Sequence, residues 1–487
     1  MKNGFRAAIT IPAESRTEKK PSRTFNIAGA DFLRLRATAL ALRGAPLQWG
    51  TASCRGFFVQ DRLTGFSKSY PTQVLAVAAL CIAAYACCLN NGFISDDYEN
   101  LRLAEGLKSD FWYLFKLPPL NFRMTSFLAY AMLDRLFTQH YEFFYTANIF
   151  LHFINCLLLW KLLLVLGRPA GEAYLAAILF AVFQAPQEGV MWIAAMNETL
   201  LGSFVLSTLV LWFRGHYLVS AIFLLLALFS KESAAIAVLV IPLIRRQRGE
   251  KVLTPQMIPL LVPILTFIAV FLWSLPANGM IQHGVYQLTA HAALVVGRTL
   301  HLLFRPSFYV LVGLLAATRQ WHSLRPLPKF VLWIVVPILP YSFLTYSPYI
   351  PSRQLYMSSM VVVSVLSYLI RECRQPRIQL ALVIAFIAYN ISYMWIRNDP
   401  EFESRAAPTT ELLGLLKSHQ PAPILLERFP YANYGIAKDV SRVARGWTRD
   451  LIHVNESPES CRDCVTLRWD AGSKKYTGQW NQGAAID

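Results

Sequence analysis

Two adjacent carboxylates, Asp96 and Asp97, lie in the stretch NGFISDDYEN (residues 91–100), a few residues past the first long apolar run. That position corresponds to a membrane–water boundary. Residues three or four apart share a helix face while neighbours diverge, so only one of the pair can enter a given pocket. A carboxylate held there suits a general base; the alternative is that Ser95 or Asp96 caps a helix beginning near Tyr98. Polar side chains in apolar runs cost on the order of 2.5–3.5 kcal/mol each on insertion scales, which makes them functional candidates. Three cations, Arg123, Lys231 and Arg353, fall on the same expected side as Asp96, and such groups suit a phosphate or pyrophosphate. Glu188 and Glu198 flank Trp192, and Glu232 adjoins Lys231. Each has a plainer reading. Lys231 and Glu232 could pair with each other at a turn, Arg353 could snorkel to the interface beside Tyr349 and Tyr356, and the stripe Asn148, His152, Asn155 could serve interhelical hydrogen bonding.

The elements that must position these residues are membrane spans. Of 487 residues, 55% are hydrophobic and only 15% charged, with a mean hydropathy of +0.38. The net charge of +17 gathers in the N-terminal segment and in short loops between apolar runs. This is the pattern of membrane topology and argues against a nucleic-acid partner. Residues 1–70 hold 12 Lys/Arg and 4 Asp/Glu, a difference of +8, and read as a disordered cytosolic extension. Apolar runs at about 71–89, 143–166, 172–185, 198–213, 216–229, 234–244, 255–275, 303–317, 328–345, 354–370 and 377–396 give eleven spans, N-terminus in and C-terminus out. A segment at 287–304 is either interfacial or one more span. Between the first two spans, 97–116 and 121–137 read as amphipathic helices. The polar residues 397–487 form a small extracytoplasmic tail containing the Cys461-x-x-Cys464 pair, more consistent with a local disulfide than with zinc. Cys81, Cys87, Cys88 and Cys156 read as packing residues.

Several of these stretches together resemble the GT-C membrane glycosyltransferases, above all the protein O-mannosyltransferases and the membrane half of the transmembrane and tetratricopeptide-repeat proteins. The resemblance runs over about 90–370 and is carried by FISDDY (93–98), NFRMT (121–125), NIFLHFIN (148–155), AAILFA (176–181), EGVMW (188–192), NETL (197–200), LFSKE (228–232) and SRQLY (352–356). It implies a polytopic all-α bundle in which Asp96, the first acid of the pair with Asp97 beside it, is the catalytic base. Arg123, Lys231, Arg353 and His152 would then contact the lipid phosphate or donor, supported by Glu188, Glu198 and Glu232. Met124, Asn197 and Gln354 depart from the family pattern, so acceptor recognition does not transfer.

The activity so implied moves a sugar, a hexose such as mannose, from a polyprenyl-phosphate carrier to a protein, lipid or glycan acceptor on the extracytoplasmic face. A bacterial inner membrane is favoured over the endoplasmic reticulum. No cofactor is required on this reading; Asp96, Asp97 and Glu188 are the residues that could hold a divalent ion. Two alternatives remain: a transporter or flippase for lipid-linked or anionic substrates, and a non-catalytic subunit that keeps the fold.

Overall fold

The computed structural model describes residues 70–110, 112–113, 123–274, 291–343, 349–419, 422–444, 452–455 and 464–478. The basic extension through residue 69, Asn121, Phe122 and Cys461 lie outside them.

The chain enters through α1 (Tyr70–Tyr85), which tightens into a 3₁₀ turn ending at Asn90. The two helices expected between the first spans follow as α2 (Asp96–Ser109) and α3 (Met124–Phe137), packed on each other. A long α4 (Tyr141–Val165) returns through the bundle to α5 (Ala170–Val182), α6 (Met196–Phe213) and α7 (Tyr217–Leu228). Then come α8 (Ile236–Gln247), α9 (Ile258–Ser274), α10 (His291–Phe304) and α11 (Ser307–Ala317). The last membrane helices are α12 (Leu327–Ile338), α13 (Tyr356–Glu372) and α14 (Pro376–Tyr393).

Each of the eleven apolar runs read from the sequence is helical over most of its described residues. Among the described residues, seven helices are long and apolar enough to cross a bilayer, or eight if α10 and α11 form one broken span; α5 and α7 are apolar but shorter. The protein is therefore a helical, polytopic membrane protein. The described part of the 287–304 segment forms α10, which meets α11 at 74° beside Pro306, where the missing N–H and the ring interrupt the helix ladder. α6 and α13 are enclosed over most of their length, while α9 and α12 present most of theirs outward. Gly202 lets α6 approach α13: a Cβ there would lie 2.8 Å from the Tyr356 ring. Small residues serve helix contacts in membranes in this way.

The polar tail is more ordered than its composition suggests. α14 runs through a π-turn (Met394–Asn398) directly into α15 (Asp399–Ser418), making one helical stretch of 43 residues. Beyond it β1 (Ile424–Glu427), α16 (Gly435–Ala444), β2 (Ile452–Val454), β3 (Val465–Asp470) and β4 (Lys475–Thr477) form a sheet ordered β2-β1-β3-β4. β1 pairs in parallel with β2 and β3, and β4 closes an antiparallel edge. Cys464 is disulfide-bonded. α16 packs on both α15 and α2, which seats this unit against the helix bearing Asp96 and Asp97.

The opposite end of the bundle collects arginines. Glu172, buried at the start of α5, takes ion pairs from both Arg168 and Arg371, whose guanidinium carbons lie 5.5 and 5.4 Å from the Tyr368 ring. Arg248 donates to the Val165 carbonyl at 3.4 Å, tying the ends of α8 and α4.

Candidate active site

The loop 91–95 and the first turn of α2 set the two carboxylates apart. Asp97 is fully buried. Its Oδ2 accepts the Ile94 N–H at 2.7 Å and its Oδ1 the Ala194 N–H at 2.5 Å, so it closes its own loop and ties it to the segment after Trp192. Burial pushes the Asp97 carboxyl well above the usual carboxylate range, with the two N–H donors and Arg405 pulling the other way. Asp96 is exposed and accepts only the Ser95 hydroxyl, at 3.0 Å, among the described residues. Ser95 makes no side-chain cap to the helix and holds φ at +44°, ψ at −107°. Such a conformation costs on the order of 1–3 kcal/mol in a non-glycine residue and persists only where neighbours over-determine it. Those neighbours are identifiable. The Tyr145 hydroxyl donates to the Gly92 carbonyl at 3.1 Å, and Thr409 of α15 donates to the Phe93 carbonyl at 2.9 Å. Asn91 donates to Asp399 at 3.1 Å, and a Cβ on Gly92 would sit 2.3 Å from the Thr410 hydroxyl.

Glu188 opens a helical turn (Glu188–Met191) on the chain that leads to Ala194. Its two oxygens face two guanidiniums: Arg353 Nη1 at 3.7 Å and Arg405 Nη1 at 3.3 Å. Both guanidinium carbons lie 4.7 Å from the centroid of the Trp192 ring. Arg353 thus does not merely reach outward; it shares a carboxylate and an aromatic platform with a residue from α15. The charge of Arg405 reaches Asp97 and Tyr431, and so does that of Asp96, which places all four at one end of the molecule. The Tyr431 hydroxyl donates to the Arg405 carbonyl, so the β-sheet unit holds the arginine's backbone.

Lys231 pairs with Glu198, not with its neighbour Glu232, and both partners are buried. Its ammonium stands 4.7 Å from the centroid of Tyr341. Arg123 lies beside this pair. Thr125, two residues on, donates its N–H to the Phe229 carbonyl and sits 2.9 Å from the Ser230 hydroxyl. The Arg123 charge is felt by both Lys231 and Tyr341. Glu232, which is exposed, acts on both through its charge. The two cation groups are neighbours, since a Cβ on Gly189 would lie 3.8 Å from Glu198 Cβ.

The Asn148/His152/Asn155 stripe goes to the bundle interior. Asn148 donates to the Gly189 and Val190 carbonyls at 3.0 and 2.8 Å, and Asn155 to the Thr199 carbonyl at 2.8 Å. His152 is buried among the Tyr85 and Phe180 rings with Nδ1 2.8 Å from the Tyr356 hydroxyl. It lies about 10 Å down α4 from Tyr145, away from Asp96. For a divalent ion, Asp97 and Glu188 offer oxygens already turned to backbone N–H groups and arginines, and their carboxylates do not converge with Asp96 into a ligand cluster.

Sequence reasoning missed Arg405, which lies in a stretch read as tail, and the role of Trp192 as a platform. It also left unexplained several buried polar atoms. Arg123 Nε, Trp192 Nε1, Asn197 Oδ1 and Gln354 Oε1 have no hydrogen-bond partner among the described residues. Asn197 and Gln354 are two of the three positions that depart from the GT-C pattern. Unsatisfied buried polar atoms are uncommon and call for an explanation where they occur.

No family model and no curated protein matches the chain. Among solved structures, it is similar to the Archaeoglobus fulgidus oligosaccharyltransferase tethered with an acceptor peptide containing the NVT sequon, with 12% identity, a TM-score of 0.43 and 78% of this chain covered. This chain spans 64% of that enzyme's length.

Proposed function

We propose that the protein is a GT-C-type membrane glycosyltransferase that moves a hexose, such as mannose, from a polyprenyl-phosphate carrier to an extracytoplasmic acceptor. The observation that supports this reading is the separation of roles within the acidic pair: Asp97 is consumed by backbone N–H groups, while Asp96 stays exposed at the end of the molecule where two guanidiniums share the Trp192 ring. On this reading Asp96 removes the proton of the acceptor hydroxyl as its oxygen bonds to the anomeric carbon. The bond from that carbon to the carrier phosphate breaks, and the phosphate leaves with the electron pair. Arg353 and Arg405 share one Glu188, so the group carries a net single positive charge, matched to a phosphate that gains charge in the transition state. Lys231 is neutralised by Glu198 and acts with Arg123 to position rather than to bind. The arginine-rich opposite end is assigned to the cytosol by the preference for basic residues there.

The test is transfer from a panel of radiolabelled polyprenyl-phosphate sugars by purified wild type and Asp96→Asn in parallel. Loss of a general base is expected to lower turnover by about 10²–10⁴-fold. Equal turnover by both proteins would remove Asp96 from the mechanism; donor bound or flipped but never cleaved would replace transfer with transport.

A further inference from the structure

Inside the bundle, well away from Asp96, α1 and α4 bring three soft ligands together. Cys81 Sγ and Cys156 Sγ are 4.0 Å apart, and Cys156 Sγ is 4.0 Å from His152 Nε2. All three ligand atoms lie within 4.8 Å of one another, and each residue is at most 1% exposed. His152 and Cys156 are four apart on α4 and share a face; Cys81 meets them from α1. We propose that Cys81, His152 and Cys156 form a binding site for one thiophilic cation, Zn²⁺ or Cu⁺, that staples α1 to α4.

The geometry is close to what such an ion needs. With metal–sulfur bonds of about 2.3 Å, a trigonal arrangement sets two sulfurs about 4.0 Å apart and a tetrahedral one about 3.8 Å. Thiolate and imidazole are the ligands that select these ions over magnesium or calcium. The outer shell is also in place. The ring nitrogen of His152 that faces away from the sulfurs is 2.8 Å from the Tyr356 hydroxyl, whose oxygen accepts from Asn155 Nδ2 at 3.0 Å. A hydrogen bond at that nitrogen orients a ligating imidazole and selects its tautomer.

Charge fits the surroundings. Zn²⁺ displaces one proton from each thiol, and the two thiolates with a neutral imidazole bring the complex to zero net charge. Cu⁺ reaches zero by displacing one proton and leaving the other thiol protonated. A neutral complex avoids the large cost of an uncompensated charge in a low-dielectric interior. The two neighbouring cysteines are arranged differently: Cys87 and Cys88 donate to the carbonyls of Ala84 and Tyr85. They serve as internal controls.

The experiment uses the full chain, purified in detergent through a tag without histidines and without chelator. Elemental analysis is expected to find about one zinc or copper ion per chain in wild type, as a single three-ligand site requires. Cys87→Ser/Cys88→Ser should retain the ion, and Cys81→Ser/Cys156→Ser should lose it. A second readout needs no variant. Metal-stripped wild type is treated with a membrane-permeant thiol reagent, with and without added Zn²⁺ or Cu⁺, and the modified cysteines are mapped by mass spectrometry. Because a metal-bound thiolate is withdrawn from reaction, either ion should slow modification of Cys81 and Cys156 by roughly ten-fold or more and leave Cys88 unchanged. Background metal content together with no protection by either ion would overturn the site.

Discussion

At the scale of single residues, adjacent side chains of one type have been given opposite environments. Asp97 faces two backbone donors, so Asp97→Asn presents an amide hydrogen to one of them. Leaving a buried partner unsatisfied costs about 1–3 kcal/mol, which thermal unfolding in detergent would register. Asp96→Asn, at an exposed position, should leave the unfolding temperature unchanged while lowering turnover. The Lys231–Glu198 pair behaves as a unit. Lys231→Met alone strands a buried carboxylate and is expected to destabilise by about 3–5 kcal/mol, whereas Lys231→Met with Glu198→Leu should recover most of that loss. Arg405 tests the platform. Arg405→Lys keeps the charge but loses the planar group that stacks on Trp192, so the KM for donor should rise as it does for Arg405→Ala.

At the scale of elements, the membrane helices were legible because a bilayer demands long apolar runs with internally satisfied backbones. Each run from 71–89 to 377–396 is helical over most of its described residues, and the helices expected near 97–116 and 121–137 are present as Asp96–Ser109 and Met124–Phe137 among the described residues. What the runs do not encode is which helix is central. That depends on small residues such as Gly202, and Gly202→Ala should separate α6 from Tyr356 and lower stability by about 1–3 kcal/mol, the usual cost of overpacking, in the same unfolding assay. The pairing of Lys231 with Glu198, 33 residues away, was equally beyond a local reading. The tail strands did leave a trace: Val465–Asp470 alternates apolar and polar residues, buried and exposed in turn, with a period of two. Short strands in a polar context are easily read as coil. The Cys81/His152/Cys156 group was hidden for another reason: the two cysteines, one on α1 and one on α4, read as packing residues, and His152 read as part of the polar stripe with Asn148 and Asn155.

At the scale of the whole molecule, the site is assembled from both ends of the chain. The acidic pair comes from the first loop, and Arg405 comes from a helix anchored in the C-terminal sheet. Deleting 424–477 should therefore leave the membrane helices folded by circular dichroism yet reduce transfer by on the order of 10²-fold, the effect of a misplacement near 1 Å. The 43-residue stretch from Pro376 to Ser418 gives this assembly a mechanical character. At 1.5 Å per residue its path is about 65 Å, roughly twice the hydrocarbon thickness of a bilayer. One part of this shaft is long and apolar enough to lie in lipid, while the other carries the Arg405 guanidinium to Glu188 and Trp192 in the candidate site. A thinner or thicker bilayer would tilt the shaft and swing its far end, so that, on the proposed function, lipid chain length would act as a throttle on transfer with no ligand involved.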